Sequence, residues 1–285
     1  MITQLLISGL SIGSLYSLTA LGIVILLKAI DLINFAQGQF VMAGAFIGLG
    51  LIAGLKLPYI LAFVLAIMLT GLLAVLVERF TYRPLRNAPL SNAVIATVAV
   101  FILLEELGLI FGGPEPLPFP SPMQDKAFFF LGSKLMVEDI AILGIAILMM
   151  FLLQVFFKRT YTGLAMRAVM QDRDTASVMG IQVNRIVTFT FVLAGILGGA
   201  TGVLVAPVCF VSFGMGTDIS LRAFSAAALG GWYSVPGTIV GGMLLGVLDN
   251  FTSSYLSSAY RDVIIFSILI LFLLFRPSGI FGKRW

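Results

Sequence analysis

The sequence predicts an all-α polytopic membrane protein, and its composition is the main reason. Of 285 residues, 60% are hydrophobic and only 11% are charged, with a mean hydropathy of +1.10. Soluble domains carry about 25% charged residues. A transmembrane helix needs about 20 mainly apolar residues, and uncharged runs of this kind recur along the whole chain. The N-terminal run lacks a preceding basic region, so it is interpreted as a first span and not as a cleaved signal peptide.

The composition also excludes several kinds of chemistry. The single cysteine, Cys209, excludes an internal disulfide and a CxxC metal site, and without histidine there is no imidazole ligand or proton relay. The sequence has no GxxxxGKS or GxxxxGKT phosphate loop and no paired acidic residues in the middle of an apolar run, which argues against ATP hydrolysis by that route and against intramembrane catalysis. The net charge of +4 is small. Its basic residues lie in short loops, which is typical of membrane topology and not of nucleic-acid binding.

The apolar runs predict about nine transmembrane helices, with eight as the alternative. If the N-terminus is outside, twelve lysines and arginines lie inside and five outside, in agreement with the positive-inside rule. The weakest span, 221–232, follows an irregular Gly- and Ser-rich stretch at 207–220. If it is re-entrant, the basic tail with Lys283 and Arg284 lies outside. The predicted spans are 5–27, 32–55, 59–77, 91–111, 139–157, 186–206, 221–232, 237–257 and 263–275.

The order of these spans predicts one transmembrane domain, 1–285, built from two inverted repeats. Repeat one covers about 5–112 and repeat two about 186–276, each with a long helix, a short interrupted helix and two further helices. The span 139–157 and a cytoplasmic loop, 158–185, link them. The alternative is that the two halves are not repeats and look alike only because any bundle of helices is self-similar. The Pro-rich loop 112–137 is predicted to be extended and solvated.

Two stretches, 32–40 and 226–237, interrupt apolar runs with amides, small residues or Pro-Gly. Interrupted helices at corresponding places in two halves indicate a transport pathway. Because an unsatisfied amide in hydrocarbon is costly, such groups must face protein, water or solute. Hydrogen bonding between helices and close helix packing explain the same residues equally well. The candidate pathway residues are Asn34, Gln37, Gly38, Ser225, Ala227, Gly230 and Gly231.

Asp249 lies inside the predicted span 237–257 and is a candidate for gating, because ionisable residues within membrane segments are commonly functional. The other intramembrane charges lie near predicted boundaries, where snorkelling and ion pairing account for them.

The loop 158–185 mixes charge with apolar residues. Leu164, Ala168 and Met179 are predicted to form one stripe of a short amphipathic helix that Gly180 ends. Such a helix lies on lipid or docks into a protein groove. The mixed signs at 172–174 favour the protein groove over an anionic membrane surface.

Several motifs give the chain a specific resemblance. Asp174–Gly180 is similar to the EAA-x-x-x-G motif of ABC importer permeases, with Asp174 in place of Glu and without the usual Ile-x-Leu-Pro ending. The segments 33–38, 82–86, 228–237 and 276–282 resemble the branched-chain amino acid permease family, in its shorter, H-type membrane subunit. The resemblance covers nearly the whole chain.

The resemblance implies a bacterial inner-membrane importer. Its partners would be a second permease subunit, two cytoplasmic ATPase subunits that hold ATP and Mg, and a periplasmic binding protein, with no cofactor, metal or catalytic residue in this chain and no nucleic acid. The segment 163–180 would couple to an ATPase. Many relatives carry histidine where this chain has Gln37, so urea, amides and aromatic acids remain alternatives to hydrophobic amino acids. An energy-independent channel is a further alternative, but it needs no docking helix. The implied coupling residues are Gly163, Arg167, Asp172, Asp174, Ala176 and Gly180.

Overall fold

A computed structural model describes residues 2–86, 88–123, 126–130, 133–255 and 260–282, and confirms an almost entirely helical chain. π-Helical turns extend α2 over Gly50–Gly54 and α3 over Glu78–Tyr82, and one short hairpin pairs β1 (Ala127–Phe130) with β2 (Ser133–Met136). The helices are α1 (Ile2–Ile30), α2 (Gln37–Leu49), α3 (Tyr59–Val77), α4 (Arg83–Leu85), α5 (Leu90–Gly112), α6 (Val137–Arg159), α7 (Tyr161–Gln171), α8 (Arg173–Val178), α9 (Val183–Cys209), α10 (Met215–Gly230), α11 (Val235–Tyr255) and α12 (Arg261–Phe275).

Seven helical segments of the described residues are long and apolar enough to cross a membrane, so the chain is a multi-pass membrane protein. They contain α1, α2, α3, α5, α6, α9 and α11. Helices α10 and α12 have 16 and 15 residues and are shorter than all seven of these segments. Nine crossings therefore stay a prediction, and Lys283 and Arg284 of the tail lie outside the described residues.

Helices α1 and α9 form the centre of the fold. Helix α1 packs against α6, α9, α10 and α11, while α9 packs against α2 and α3. Small residues permit the closest approach. A Cβ atom on Gly13 of α1 would lie 2.8 Å from the carbonyl oxygen of Gly242 on α11, the kind of contact that small residues allow between membrane helices.

The segment after α12 closes the end of α10. The N–H groups of Ile280 and Phe281 donate to the carbonyl oxygens of Leu229 (2.8 Å) and Gly230 (3.2 Å). These are terminal carbonyls that a helix cannot pair internally.

Two predicted irregular regions are more ordered than expected. The prediction of an irregular 207–220 is wrong, because α9 continues through Pro207 to Cys209 and α10 already begins at Met215. Buried contacts of Met215 and Ile219 with the main core stabilise this early start. The loop 112–137 is not fully solvated either, since the Leu117 N–H donates to the Val211 carbonyl oxygen at 2.8 Å and Phe119 is buried.

Candidate functional site: the interrupted helices and a polar groove

The first interrupted stretch is a buried, non-helical entry into α2. The Asn34 side-chain oxygen accepts from the Ala36 N–H at 3.1 Å, and the Gln37 amide donates to the Ala194 carbonyl oxygen of α9 at 2.9 Å. The Asn34 amide nitrogen and the Gln37 side-chain oxygen are buried without a partner among the described residues. The two amides therefore connect helices and still retain unused hydrogen-bonding capacity.

The first turns of α2 and α10 cross each other at Gly38 and Gly216. A Cβ atom on Gly38 would clash with the Ser220 hydroxyl and the Gly216 carbonyl oxygen. Both side-chain polar atoms of Gln39 and the Ser220 hydroxyl are buried there without a partner in the described part of the chain. Sequence reasoning missed Gly216 and Ser220 because it treated their segment as irregular. The run of small and polar residues they belong to would have been the only signal.

The second interrupted stretch is closely packed. Ala227 is buried in a cluster with Ala20, Ile23 and Val24 of α1, and the Ser225 hydroxyl donates to the Leu221 carbonyl oxygen of its own helix at 2.8 Å.

Gly230 and Gly231 lie where α10 ends. A Cβ atom on Gly230 would clash with the Gly237 carbonyl oxygen, and Gly231 has φ 103°, which favours glycine. In this conformation the small residues of the second stretch serve close helix packing.

An aromatic chain connects the two stretches. The ring centroid of Phe35 lies 5.4 Å from that of Phe224 on α10, and Phe224 lies 6.2 Å from Trp232. Sequence reasoning did not anticipate this connection.

Asp249 is the centre of an ion-pair network. Its carboxylate is 1% exposed, accepts a hydrogen bond from the Tyr16 hydroxyl at 2.8 Å and is paired with Arg261. Arg222 Nε lies 3.7 Å from the same carboxylate, while Arg222 Nη2 donates to Asp262 at 2.7 Å. The network joins α1, α10, α11 and α12. Its members Tyr16 and Arg261 were not predicted to act with Asp249.

The predicted coupling segment is two helices, so the expectation of a single helix is wrong. Thr160 caps α7 by accepting from the Gly163 N–H at 2.9 Å. Asp172 interrupts the helix with extended backbone (φ −159°, ψ 115°) and caps α8, accepting from the N–H groups of Asp174 (2.9 Å) and Thr175 (3.0 Å). Hydrogen bonds from the Thr175 N–H and hydroxyl hold the pKa of the Asp172 carboxyl below its ordinary value.

The buried side of this segment also differs from the predicted stripe. Leu164 and Met179 are 56% and 79% exposed. The residues of α7 that pack inward are Gly163, Met166 and Val169. Gly163 is required because a Cβ atom there would clash with the Phe156 carbonyl oxygen. Of the other predicted coupling residues, Arg167 and Asp174 are exposed, Ala176 is buried, and Gly180 follows α8 with φ 85°.

These helices form one wall of a groove of about 1230 Å³. Asp31 from the α1–α2 connection and two arginines, Arg83 and Arg86, form the other walls. Three segments that the topology prediction places inside therefore meet at one end of the molecule. The groove residues from the coupling segment are Gln171, Asp172, Arg173, Asp174, Ser177, Gly180, Ile181, Gln182, Val183, Asn184 and Arg185.

Comparison with known proteins identifies the family. The family model described as "Branched-chain amino acid transport system / permease component" matches residues 5–273. The chain belongs to this permease family. The permease is 33% identical to the high-affinity branched-chain amino acid transport system permease protein BraD of Pseudomonas aeruginosa, and 32% identical to LivH of Salmonella typhimurium. Each comparison covers 98% of this permease and 95% of the relative.

The chain is also similar to two more distant proteins. The ribose import permease protein RbsC of Escherichia coli is 27% identical, over 63% of this permease and 58% of its own length. The solved structure of PsaBC from Streptococcus pneumoniae in complex with Fab has a TM-score of 0.54 at 15% identity, covering 98% of this permease and 93% of that chain. That structure shows a shared fold alone. The family is one of transport components and not of enzymes, as the sequence predicted.

Proposed function

We propose that this permease is the membrane-spanning subunit of an ATP-driven importer for branched-chain or other hydrophobic amino acids. The observation that carries the proposal is the family match over residues 5–273, supported by similarity to BraD and LivH across nearly their full length. The proposed location is a bacterial inner membrane. The proposed partners are a second permease subunit, two ATPase subunits that bind ATP and Mg, and a periplasmic binding protein.

Helix contacts support the proposed inverted repeats. Exchanging α1 with α9, α2 with α10, α3 with α11 and α5 with α12 converts most of the observed helix pairs among them into other observed pairs, with α1–α2 and α11–α12 as exceptions. The α1–α11 contact corresponds to α9–α3, α1–α10 to α9–α2, α2–α3 to α10–α11, and α2–α5 to α10–α12. The α2–α10 crossing corresponds to itself, as expected for elements on the symmetry axis.

We infer that this crossing is part of the pathway, in a closed state. A buried polar group without a partner costs about 1–3 kcal/mol, and Gln37, Gln39 and Ser220 all carry such groups. Separation of α2 from α10 would let water or solute satisfy them. Alternating access between the two halves would supply that separation.

We propose that the groove at 171–185 receives the ATPase, and Gly180 tests this coupling role. A non-glycine residue at φ 85° costs about 1–2 kcal/mol. No heavy atom lies within 4 Å of the position that an added Cβ atom would take, so this cost comes from the backbone alone. Gly180→Ala should therefore displace the end of α8 and lower the ratio of solute uptake to ATP hydrolysis. Gly144→Ala, which also has open space around its Cβ, is the control. An unchanged ratio in Gly180→Ala argues against the docking assignment.

Uptake measured in proteoliposomes tests the proposed function. The permease is reconstituted with its cognate permease partner, ATPases and binding protein, and labelled leucine is supplied outside. We expect leucine to accumulate above its external concentration with ATP and not with a non-hydrolysable analogue. Equilibration without ATP would indicate a channel instead. Accumulation of urea, a short amide or an aromatic acid in place of leucine would assign the other substrate class.

A further inference from the structure

A second cavity, of about 520 Å³, lies beside the groove and is strongly basic. It is lined by Arg79, Arg83, Pro84, Arg86 and Asn184, without an acidic residue. It lies where α3 continues through its π-helical turn into α4. It shares Arg83, Arg86 and Asn184 with the groove proposed for the ATPase, and the coupling proposal assigns Arg79 no role.

The three guanidinium groups are available to a ligand. All three arginines are exposed, and among the described residues no carboxylate oxygen lies within 4.0 Å of them. Arg86 donates to the Asn184 side-chain oxygen at 2.8 Å, which fixes its position at the cavity.

Acidic residues nearby reduce the positive charge without removing it. Asp31, Asp172 and Asp174 line the neighbouring groove, which shares Arg83 and Arg86. Glu78 precedes Arg79 in the chain but is buried. Guanidinium groups form paired hydrogen bonds with phosphate, so the cavity is suited to a phosphate group.

An apolar stripe leads directly to this cavity. Met68, Leu72 and Leu76 recur every four residues and therefore share one face of α3. They are 64%, 55% and 45% exposed, in chain order. The arginines follow this stripe along the chain, with Arg79 in the π-helical turn, Arg83 in α4 and Arg86 directly after it.

We propose that the basic cavity and the apolar stripe together bind one anionic phospholipid, with its phosphate in the cavity and its acyl chains along α3. The apolar stripe would contact the acyl chains, and the arginines would select an anionic over a zwitterionic headgroup. A free phosphate compound would meet the same arginines but not the stripe, so the two sources can be separated. The proposal rests on membrane insertion and not on the identity of the transported solute.

Lipid binding to the delipidated full-length chain, measured by native mass spectrometry, tests the proposal. The probes are phosphatidylglycerol, phosphatidylcholine and soluble glycerol 3-phosphate. Each arginine near a membrane surface contributes about fivefold to the affinity for anionic lipid, so Arg79→Gln/Arg83→Gln/Arg86→Gln should lose at least about tenfold for phosphatidylglycerol. The control is Lys158→Gln/Arg159→Gln/Arg276→Gln, which removes equal charge outside the cavity and should change the affinity less than about twofold.

A second variant tests the acyl-chain part of the site. Leu72→Asn/Leu76→Asn should weaken phosphatidylglycerol but leave glycerol 3-phosphate binding unchanged. Equal affinity of the unmodified chain for phosphatidylglycerol and phosphatidylcholine would overturn the proposal, as would equal losses in the arginine triple variant and its control. Loss of ATPase binding in the arginine variant with unchanged lipid affinity would assign the cavity to the ATPase. Uptake is not measured in these tests, so their failure leaves the proposed function untouched.

Discussion

At Asp249, one carboxylate connects four helices. It accepts from Tyr16 of α1, pairs with Arg261 of α12 and lies near Arg222 of α10. The sequence identified Asp249 by its place within an apolar run, but its partners are up to 233 residues away along the chain. A charge in an apolar segment can be recognised without an alignment. Its neutralising partners depend on how the helices pack.

Replacement of Asp249 should destabilise the fold strongly. Asp249→Asn leaves Arg261 without its buried partner, and breaking a buried ion pair costs about 3–5 kcal/mol of the free energy of unfolding. Asp262→Asn is the matched control, because Asp262 is 64% exposed and an exposed pair contributes about 0–1 kcal/mol. Chemical unfolding in detergent measures both. Equal losses of the free energy of unfolding in the two variants would show that the Asp249 network stabilises the fold no more than an exposed ion pair does. The double variant Asp249→Asn/Arg261→Gln should recover part of the loss.

At the scale of single elements, α10 shows where local reasoning fails. Gly214 and Gly216 have low helix propensity, so the sequence predicts that this helix begins at 221. In the structure α10 begins earlier, at Met215. Tertiary contacts decide the matter, since Gly216 packs against Gly38 and Gln39 of α2. By contrast, the bounds of α3, α5 and α6 differ from the prediction by no more than two residues at every end, because their long apolar runs dominate.

The α2–α10 crossing should open during transport. In a Cys209→Ser background, Ser220→Cys should react with a membrane-permeant thiol reagent during turnover with ATP and binding protein, and much more slowly at rest. Ser14→Cys is the control, because Ser14 is also buried but belongs to α1 and not to either of the two crossing helices. Equal reactivity of Ser220→Cys in both conditions would remove the crossing from the pathway.

Asp172 should control the start of α8. Asp172→Ala removes the acceptor for the Asp174 and Thr175 N–H groups, so these amides should exchange hydrogen faster, whereas Asp172→Asn retains most protection because asparagine also caps helices. The lowered pKa means that the carboxylate stabilises α8 above the ordinary aspartate pKa of about 3.9. Its contribution is lost only as the pH falls through the lower folded-state value. Protection should therefore be constant between about pH 6 and pH 8, and a decline within that range would contradict this assignment.

At the scale of the whole molecule, composition and apolar periodicity predict the class, and packing supplies the rest. Val235 at the start of α11 packs against the cluster that contains Met166 and Val169 of α7. Near the other end of α11, Asn250 donates to the Leu5 carbonyl oxygen of α1 at 2.8 Å. This arrangement supports the prediction that α11 begins on the same side of the membrane as the groove. Because the predicted topology ends α9 on the opposite side, α10 would then cross the membrane between them.

Cysteine labelling tests the nine-span topology. In the Cys209→Ser background, an impermeant thiol reagent added outside should label Glu115→Cys, in the loop after α5. It should not label Arg276→Cys, after α12, until the membrane is permeabilised. Both positions are exposed in the isolated subunit. Labelling of Arg276→Cys from outside would establish the eight-span alternative.

The hydrogen bonds from Ile280 and Phe281 to the end of α10 affect the order in which the subunit can be completed during synthesis. The ribosome finishes Leu229 and Gly230 about fifty residues before it makes their donors. Until Ile280 and Phe281 leave the ribosome, the carbonyl groups of Leu229 and Gly230 lack these two donors. A nascent chain stalled after α12 should therefore be inserted while the end of α10 still lacks these hydrogen bonds.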